Sequence, residues 1–314
     1  MKRVRFTGYG VCLMFAAAAL SGCSGAAPSA GSGLLPQSVG ASIPAPAGGG
    51  ALLYVTDTVT SDVYVFSYPK GKLKQTLTGL TDPAGECIDA QGNVFIANTG
   101  GSNIVEYGHG GTSPIAKLKD PGFFPIGCSV NPVTGDLAVT NFSSSSSGQG
   151  NVVIYRHAKG RPRGNYTDSQ VNEMLLCGYD AQGNLFVSGQ TAGSAPAFAE
   201  LPKGGSKLVD VSLDQAIQSA GGVQWDGKYV AIGDQAANTI YQFSFNGTQG
   251  KKMGSTPLGG ATQVFQFWID GSKVVGPDTY GSDVDVWSYP AGGSPVKQIG
   301  GLYVPLGTVV SRAK

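Results

Sequence analysis

Charged and titratable side chains are scarce in this sequence. Only 13% of the 314 residues are charged, and 21 lysines and arginines stand against 20 aspartates and glutamates. This balance leaves no basic surplus to neutralise a phosphate backbone, so no nucleic-acid partner is expected. The two histidines, His109 and His157, both lie near predicted turns, and the sequence has no Gly-x-Ser-x-Gly elbow, zinc-ligand spacing or phosphate loop. We therefore predict no catalytic residue and disfavour a cofactor-independent hydrolase.

Long hydrophobic runs are lacking as well. The apolar run Val11–Leu20 is too short to span a bilayer comfortably, and it follows basic residues at positions 2, 3 and 5. It leads into Leu20-Ser21-Gly22-Cys23, which resembles the lipobox of bacterial lipoproteins. The resemblance implies a signal peptide over residues 1–22 and a lipidated Cys23 that anchors the chain to a membrane.

The segment after the cysteine has no charged residue and no periodicity. Residues 24–50 are mostly Gly, Ala, Pro and Ser, a composition typical of a flexible tether. We predict a tether over residues 23–50 and a folded body over residues 51–314.

Glycine is abundant, with 49 residues, and part of it recurs at a fixed interval. The segment Asp89-Ala90-Gln91-Gly92-Asn93 is repeated as Asp180-Ala181-Gln182-Gly183-Asn184, and each copy precedes a short apolar strand. Related glycines open such strands at Gly135, Gly227 and Gly271, so the period is in the forties. Alternating apolar residues and a scarcity of helix-forming sequence favour a propeller blade over a helical repeat.

Residues 51–314 suffice for six blades of about 44 residues, each with four strands. The body begins with a strand of the second type, and Leu306–Ser311 fits the pattern of the missing innermost strand. We predict an all-β, six-bladed β-propeller whose C-terminal strand joins the N-terminal blade and closes the ring. A capping box at Ser212–Gln215 predicts a short helix ending near Gly221. Consecutive serines predict a lengthened loop from Phe142 to Gln149.

The best copy of the repeat, Pro83–Asn98, resembles NHL-type repeats, which occur in six-bladed propellers related to gluconolactonase. Such relatives include binding scaffolds and enzymes, so the fold does not choose between them. The enzymatic relatives imply a divalent cation, such as Ca²⁺, held on the axis by Asn, Asp and Glu side chains. The matching positions here hold residues that cannot coordinate a metal through their side chains: Ala84, Ile126, Leu175, Gly221, Phe265 and Leu306.

Three innermost strands carry the polar residues that remain as axial ligand candidates. Glu86 is the one acidic side chain early in an innermost strand. Gln224 and Gln266 are the other polar side chains that could lie beside it. One carboxylate makes a weak cation site, so we predict no bound metal and no cofactor. Trp268 is out of register with the inter-blade residue Trp225 and is a candidate for lining the channel.

A second polar ring lies at the ends of the second strands, at Asp57, Asn98, Asn141, Asp234 and Asp278. These side chains either cap their own loops through Asx-type hydrogen bonds or form a rim that receives a ligand. Tyr280 lies in one of the loops that follow this ring and is a further candidate for ligand binding.

Three cysteines remain in the body once Cys12 and Cys23 are set aside. Cys87, Cys128 and Cys177 all fall in innermost strands, and the last two share one register. Two alternatives remain for these cysteines: small buried thiols or a Cys128–Cys177 disulfide. We expect neighbouring innermost strands to be too far apart for a disulfide, which favours the buried thiols.

Taken together, these features predict a secreted, lipid-anchored propeller in the periplasm, at the outer membrane or on the cell surface. We expect a monomer that acts as a rigid platform for an unknown protein or small molecule. The alternative is a lactonase-like or lyase-like enzyme that depends on a divalent cation near Glu86.

Overall fold

Six β-sheets surround a common axis in the computed structural model, which describes residues 50–313. The predicted signal peptide, the lipidation site Cys23 and nearly all of the tether lie outside the described residues. Each sheet is one blade, with an innermost strand at the axis and a fourth strand at the rim. The prediction of an all-β, six-bladed propeller is confirmed.

The blades follow one another along the chain, and antiparallel pairing connects the four principal strands of each. From the axis outward, blade 1 contains β25 (Pro305–Ser311), β1 (Leu52–Asp57), β2 (Asp62–Ser67) and β3 (Lys72–Leu77). Blade 2 contains β4 (Pro83–Ile88), β5 (Val94–Asn98), β6 (Asn103–Tyr107) and β7 (Pro114–Lys119). Blade 3 contains β8 (Phe123–Val130), β9 (Leu137–Ser144), β10 (Asn151–Tyr155) and β11 (Arg163–Tyr166).

The second half of the ring repeats this order. Blade 4 contains β12 (Glu173–Tyr179), β13 (Leu185–Gln190), β14 (Pro196–Leu201) and β15 (Val209–Asp210). Blade 5 contains β17 (Ala220–Trp225), β18 (Val230–Asp234), β19 (Thr239–Asn246) and β20 (Gln249–Pro257), with β16 (Ser212–Leu213) added at its rim. Blade 6 contains β21 (Trp268–Asp270), β22 (Lys273–Asp278), β23 (Asp283–Ser288) and β24 (Lys297–Gly300). Two 3₁₀ turns occupy Thr99–Gly101 and Arg156–Ala158.

The C-terminal strand closes the ring as predicted. β25 pairs with β1 from Leu52–Ser311 at one end to Asp57–Pro305 at the other. Because blade 1 takes its strands from both ends of the body, β1 is paired on both edges and β25 has a partner in the sheet. The closure follows from the strand order along the chain, which starts with a second strand and ends with a first.

Apolar side chains that alternate along the strands fill the spaces between blades. Leu53 and Val55 of blade 1 meet Val275 and Val284 of blade 6 in one such core. A separate apolar cluster lies where the innermost ends of the blades converge, and it contains Ala84, Ile126, Phe142, Leu175, Leu176, Ala220, Phe265 and Leu306. This cluster, which we call the axial plug, draws a buried side chain from every blade.

The loops of the propeller lie on two faces. The upper face carries the loops that join second to third strands and fourth strands to the next blade. The lower face carries the turns that join first to second and third to fourth strands. The chain enters on the lower face, where the Ala51 carbonyl accepts a hydrogen bond of 2.8 Å from Tyr68 N in the β2–β3 turn.

The predicted helix after Ser212 is wrong. Ser212 and Leu213 instead form β16 and pair in parallel with Gln249 and Gly250 of β20. Asp214 N donates to the Gly250 carbonyl at 3.0 Å, so the sheet edge satisfies the backbone groups that a helix would have used. Among residues 50–313, no helix is long and apolar enough to cross a membrane.

The serine-rich segment also differs from its prediction. β9 continues through Phe142 to Ser144, because Ser144 pairs with Phe123 at the end of β8. The connection between β9 and β10 is shorter than the sequence suggests.

The cysteine pairing is a third correction. Cys87 and Cys128 form a disulfide that joins the innermost strands of blades 2 and 3, with 5.6 Å between their Cα atoms, and Cys177 is a buried free thiol. A Cβ atom at Gly85 would lie 2.5 Å from the Ile126 carbonyl oxygen, so this glycine lets β4 approach β8 closely. Register shifts at Pro83–Glu86 and Pro125–Gly127 then bring the two cysteines together.

Candidate functional site

Exposed apolar side chains gather on the upper face at the junction of blades 6 and 1. Val59, Tyr280 and Tyr303 are exposed by 62%, 59% and 61%. Their loops are joined by hydrogen bonds: Asp57 accepts from Val59 N at 3.1 Å and from Tyr303 N at 2.7 Å, and Ser282 Oγ donates to the Tyr303 carbonyl at 2.8 Å. We call these three side chains the upper apolar patch.

The two faces differ in charge. The upper loops contain no lysine, arginine or histidine, although Lys119 lies at an adjoining strand end. The acidic residues in these loops or at adjoining strand ends are Asp57, Asp62, Asp82, Asp120, Asp168, Glu173, Asp210, Asp214, Asp234, Asp278 and Asp283. The lower turns and the chain end beyond β25 hold eight basic residues: Lys70, Arg156, Lys159, Arg161, Lys203, Lys207, Lys228 and Arg312. Acidic residues in the lower turns are Asp89, Asp136, Asp180 and Asp226, and Asp270 lies at an adjoining strand end. The propeller therefore has an acidic upper face and a more basic lower face.

A basic depression lies on the lower side of blade 3. It has a volume of about 340 Å³, and its lining includes Arg156, Lys159, Arg161 and Arg163. His157 belongs to the same turn, where its Nδ1 lies 2.9 Å from the Thr134 carbonyl oxygen. The other histidine, His109, has its Nδ1 2.8 Å from Ser311 Oγ.

The three aspartates of the predicted polar ring lie buried beneath the upper loops. Asp57 accepts hydrogen bonds from Val59 N and Thr60 N in its own loop, and Asp234 accepts from Ala236 N and Ala237 N in the same way. Both also accept from the backbone of the segment leading into the adjacent innermost strand. Asp278 accepts from Thr262 N and Gln263 N at 2.8 and 3.0 Å.

Blades 2 and 3 use amides at the corresponding positions. Asn98 Nδ2 donates to Asn103 Oδ1 at 3.2 Å, and Asn141 Nδ2 donates to Asn151 Oδ1 at 2.8 Å. The backbone contacts of the aspartates are the ones expected of loop caps, whereas these two asparagines bond to a side chain of the next strand. They fix the loops on the upper face, and ligand binding by the five side chains stays a prediction.

Glu86 is fully buried near the axis, and neither carboxyl oxygen has a hydrogen-bond partner. Burial raises the pKa of this side chain well above its usual value, and the nearby Val309 backbone amide offsets the shift only in part. Burial disfavours the charged form of this carboxyl, so it is a poor ligand for a cation. Its strand neighbour Ala84 belongs to the axial plug.

The two glutamines expected beside Glu86 are occupied by backbone groups. Gln266 Oε1 accepts from Glu86 N at 3.0 Å, while its Nε2 donates to the Glu86 carbonyl. Gln224 forms the same kind of double contact with the backbone of Ile269. These residues do not fit the axial cation that the resemblance implies, so we derive no reaction step through such an ion.

Trp268 and Trp225 both pack against inter-blade cores. Trp268 is partly buried and contacts the clusters on both sides of blade 1. Trp225 packs in the core between blades 4 and 5, as expected of an inter-blade residue.

Sequence reasoning missed four residues that matter to the sites described here. Val59 and Tyr303 complete the upper apolar patch, but their loops are distant in sequence, and only ring closure brings them together. Asp283 and Asp285 lie with Asp278 in a compact acidic group. The spacing Asp-x-x-x-x-Asp-x-Asp at residues 278–285 was a usable signal for this group.

Comparisons with known proteins support the fold. No family model matches the chain, and no curated protein matches its sequence. The chain is similar to a chain in a crystal structure of a nidogen/laminin complex, with 12% identity, a TM-score of 0.66, and coverage of 84% of this chain and 100% of the other. It is also similar to a functionally unknown protein from Desulfotomaculum acetoxidans DSM 771, with 11% identity, a TM-score of 0.56, and coverage of 84% and 99%.

A third similar structure is a protein of unknown function from Bacteroides caccae, with 11% identity, a TM-score of 0.62, and coverage of 84% and 99%. At these identities the similarity shows the propeller fold alone. Such a fold is consistent with a binding platform.

Proposed function

We propose that this protein is a lipid-anchored, extracytoplasmic propeller that binds a partner through its upper face. The observation that carries the proposal is the upper apolar patch of Val59, Tyr280 and Tyr303. Tyrosine is enriched at protein interfaces because it offers a large contact area and a polar tip. Asp62 and Asp283 are partly exposed at the strand ends beside the loops of the patch, so a protein partner with an apolar contact flanked by basic residues fits it best.

Rigidity of the loops supports this function. Asp57 joins the loops of Val59 and Tyr303 through its carboxylate, and Thr279 Oγ1 donates to the Pro305 carbonyl at 3.0 Å. Loops that are already ordered lose little conformational entropy on binding, which favours affinity. The patch is therefore preorganised on a stiff scaffold.

The polarity of the two faces supports an orientation relative to a membrane. The chain enters the propeller on the lower face, so a tether from a lipidated Cys23 reaches that face first. Basic residues near an anionic membrane surface each contribute about 1 kcal/mol of attraction. The lower face would then lie toward the membrane, and the upper apolar patch would point away from it. The Cys87–Cys128 disulfide suits an oxidising compartment such as the periplasm or the cell surface.

The repeats are best interpreted as divergent NHL-type blades. The segments at Asp89–Asn93 and Asp180–Asn184 adopt the same turn, in which the first aspartate accepts hydrogen bonds from the backbone of the last asparagine. This shared turn supports the repeat assignment and carries no information about a ligand.

Photo-crosslinking in cells that make the protein tests the platform. A photoreactive residue at Val59 is expected to give a discrete adduct that disappears in a Tyr280→Ser variant. The matched control is the same residue at Val133, which is 56% exposed in a lower turn. Identical adducts from both positions, or an adduct that survives Tyr280→Ser, would contradict the proposal.

Membrane fractionation tests the anchor separately. The full-length chain is expected in the membrane fraction, and a Cys23→Ala variant is expected to lose the lipid and its stable attachment. A Cys23→Ala variant with unchanged attachment and unchanged mass at the mature N-terminus would refute lipid anchoring without bearing on the upper face.

A further inference from the structure

Three carboxylates converge at the junction of blades 5 and 6. Asp278 ends β22, while Asp283 and Asp285 lie on one face of β23. One oxygen from each of the three side chains lies within 4.8 Å of the others. Two oxygens bound to one Ca²⁺ ion are at most about 5.2 Å apart, so the three can share an ion as they stand.

The innermost member of the group is an unpartnered buried carboxylate. Asp285 is 1% exposed, and neither of its oxygens has a hydrogen-bond partner. A buried charge without a partner is strongly unfavourable, so such a group calls for a ligand or a proton. This observation is separate from the clustering of acidic residues, because an acidic cluster at the surface would be hydrated.

No basic residue compensates the three charges. The ion pairs within residues 50–313 are Arg312–Asp270 and His157–Asp136, and neither reaches this junction. Carboxylates this close together repel one another when they are ionised, and a cation between them would remove that repulsion.

Comparison among the blades shows that blade 6 is different at this position. Asn98 and Asn103 of blade 2 occupy the places of Asp278 and Asp283, and an amide N–H bridges them. Blade 1 has Asp57 and Asp62 there, but Tyr64 takes the place of Asp285. Among these three blades, blade 6 is the one with a third carboxylate, and it lacks the amide N–H that connects the two side chains in blade 2.

The remaining contacts leave an approach to the group. Asp283 is only partly buried: its Oδ2 atom accepts a long hydrogen bond of 3.4 Å from Gln298 Nε2, which lies opposite Asp285 on β24, and its Oδ1 atom has no hydrogen-bond partner. Asp278 is already oriented by Thr262 N and Gln263 N. A cation here would fix the Tyr280 loop to the segment that enters blade 6.

We propose that Asp278, Asp283 and Asp285 bind a Ca²⁺ ion. Oxygen donors from three carboxylates are the ligands that Ca²⁺ prefers, whereas Mg²⁺ is usually held by fewer carboxylates and more water. The site lies away from the axis and from Glu86, and it does not depend on the proposed partner binding.

Thermal unfolding of residues 24–314 with excess Ca²⁺ and with a chelator tests the proposal. A free Ca²⁺ concentration about 100 times the dissociation constant is expected to raise the melting temperature by about 5 °C. Isothermal titration with CaCl₂ is expected to give one site per chain.

Variants assign the effect to the site. Asp285→Asn keeps the shape of the side chain, and its amide can donate to the neighbouring carboxylates, so the variant is expected to fold and to lose the Ca²⁺ response. Asp62→Asn is the matched control in blade 1 and is expected to keep the response. Absence of a Ca²⁺ shift in the natural sequence, or an unchanged shift in Asp285→Asn, would overturn the proposal.

Discussion

Replacing Glu86 by glutamine is expected to make the protein more stable at neutral and alkaline pH. The side chain is fully buried with both oxygens unpartnered, and burial raises its pKa well above the usual value. The folded protein therefore holds a proton that the unfolded chain releases above its ordinary glutamate pKa. Stability from this group is present at low pH and is lost as the pH rises toward the folded-state pKa.

The magnitude follows from the number of protons released. One proton difference between the two states changes the free energy of unfolding by about 1.4 kcal/mol per pH unit. Between pH 5.5 and 7.5 the natural protein should therefore lose stability relative to Glu86→Gln, by at most this amount for each pH unit, which corresponds to about 3 °C in melting temperature per pH unit for a domain of this size. Near pH 5 the two proteins should be similar, because a protonated carboxyl and an amide are both neutral and similar in size.

Chemical denaturation across this pH range measures the effect directly. The difference in unfolding free energy between the two proteins is plotted against pH, which cancels the titration of all other groups. Glu106→Gln is a control at a partly exposed position of blade 2 and should give a smaller slope. Parallel pH profiles for the natural protein and Glu86→Gln would refute the reasoning, since they would show that Glu86 binds the same number of protons in both states.

Three other changes test the architecture. Deleting residues 305–314 removes β25 and exposes the edge of β1, so we expect unfolded or aggregating protein; a cooperative, monomeric product in ultracentrifugation would contradict the ring closure. Cys87→Ser opens a disulfide loop with a sequence separation of 41 and should lower the unfolding free energy by about 2–4 kcal/mol, whereas equal stability of Cys87→Ser and the natural protein under oxidising conditions would argue against the bridge. Gly85→Ala places a methyl group against the Ile126 carbonyl and should cost about 1–3 kcal/mol in denaturant melts, whereas an unchanged midpoint would show that β4 and β8 are further apart.

Local sequence predicted the strands and turns correctly where their formation depends only on residues within the same strand or turn. The strand Leu52–Asp57 and the turn at Asp89–Asn93 appear where the apolar alternation and the glycine placed them. The prediction of a helix after Ser212 was wrong because the backbone of Ser212 and Leu213 pairs with the edge of β20 instead of forming a helical turn. A local pattern does not show which distant backbone groups are available.

The candidate site could be predicted only in part for the same reason. Tyr280 was foreseen from its position after a second strand, but Val59 and Tyr303 join it only through the closed ring. The polar ring was located correctly in sequence, and the structure shows its three aspartates bonded to loop backbone. Asp285 was missed although the spacing of Asp278, Asp283 and Asp285 was visible in the sequence, because spacing alone does not show that β22 and β23 bring the three carboxylates together and bury one of them.

Sequence alone determined the number of blades, the strand order and the closure by the C-terminal strand, because alternation and a repeat near 44 residues are properties of the chain. Tertiary structure decided which side chains meet. Strand bulges paired Cys87 with Cys128, the convergence of six blades formed the apolar plug, and packing of blade 6 against blade 5 buried Asp285. These outcomes depend on distances between segments far apart in sequence, which folding fixes and local pattern does not.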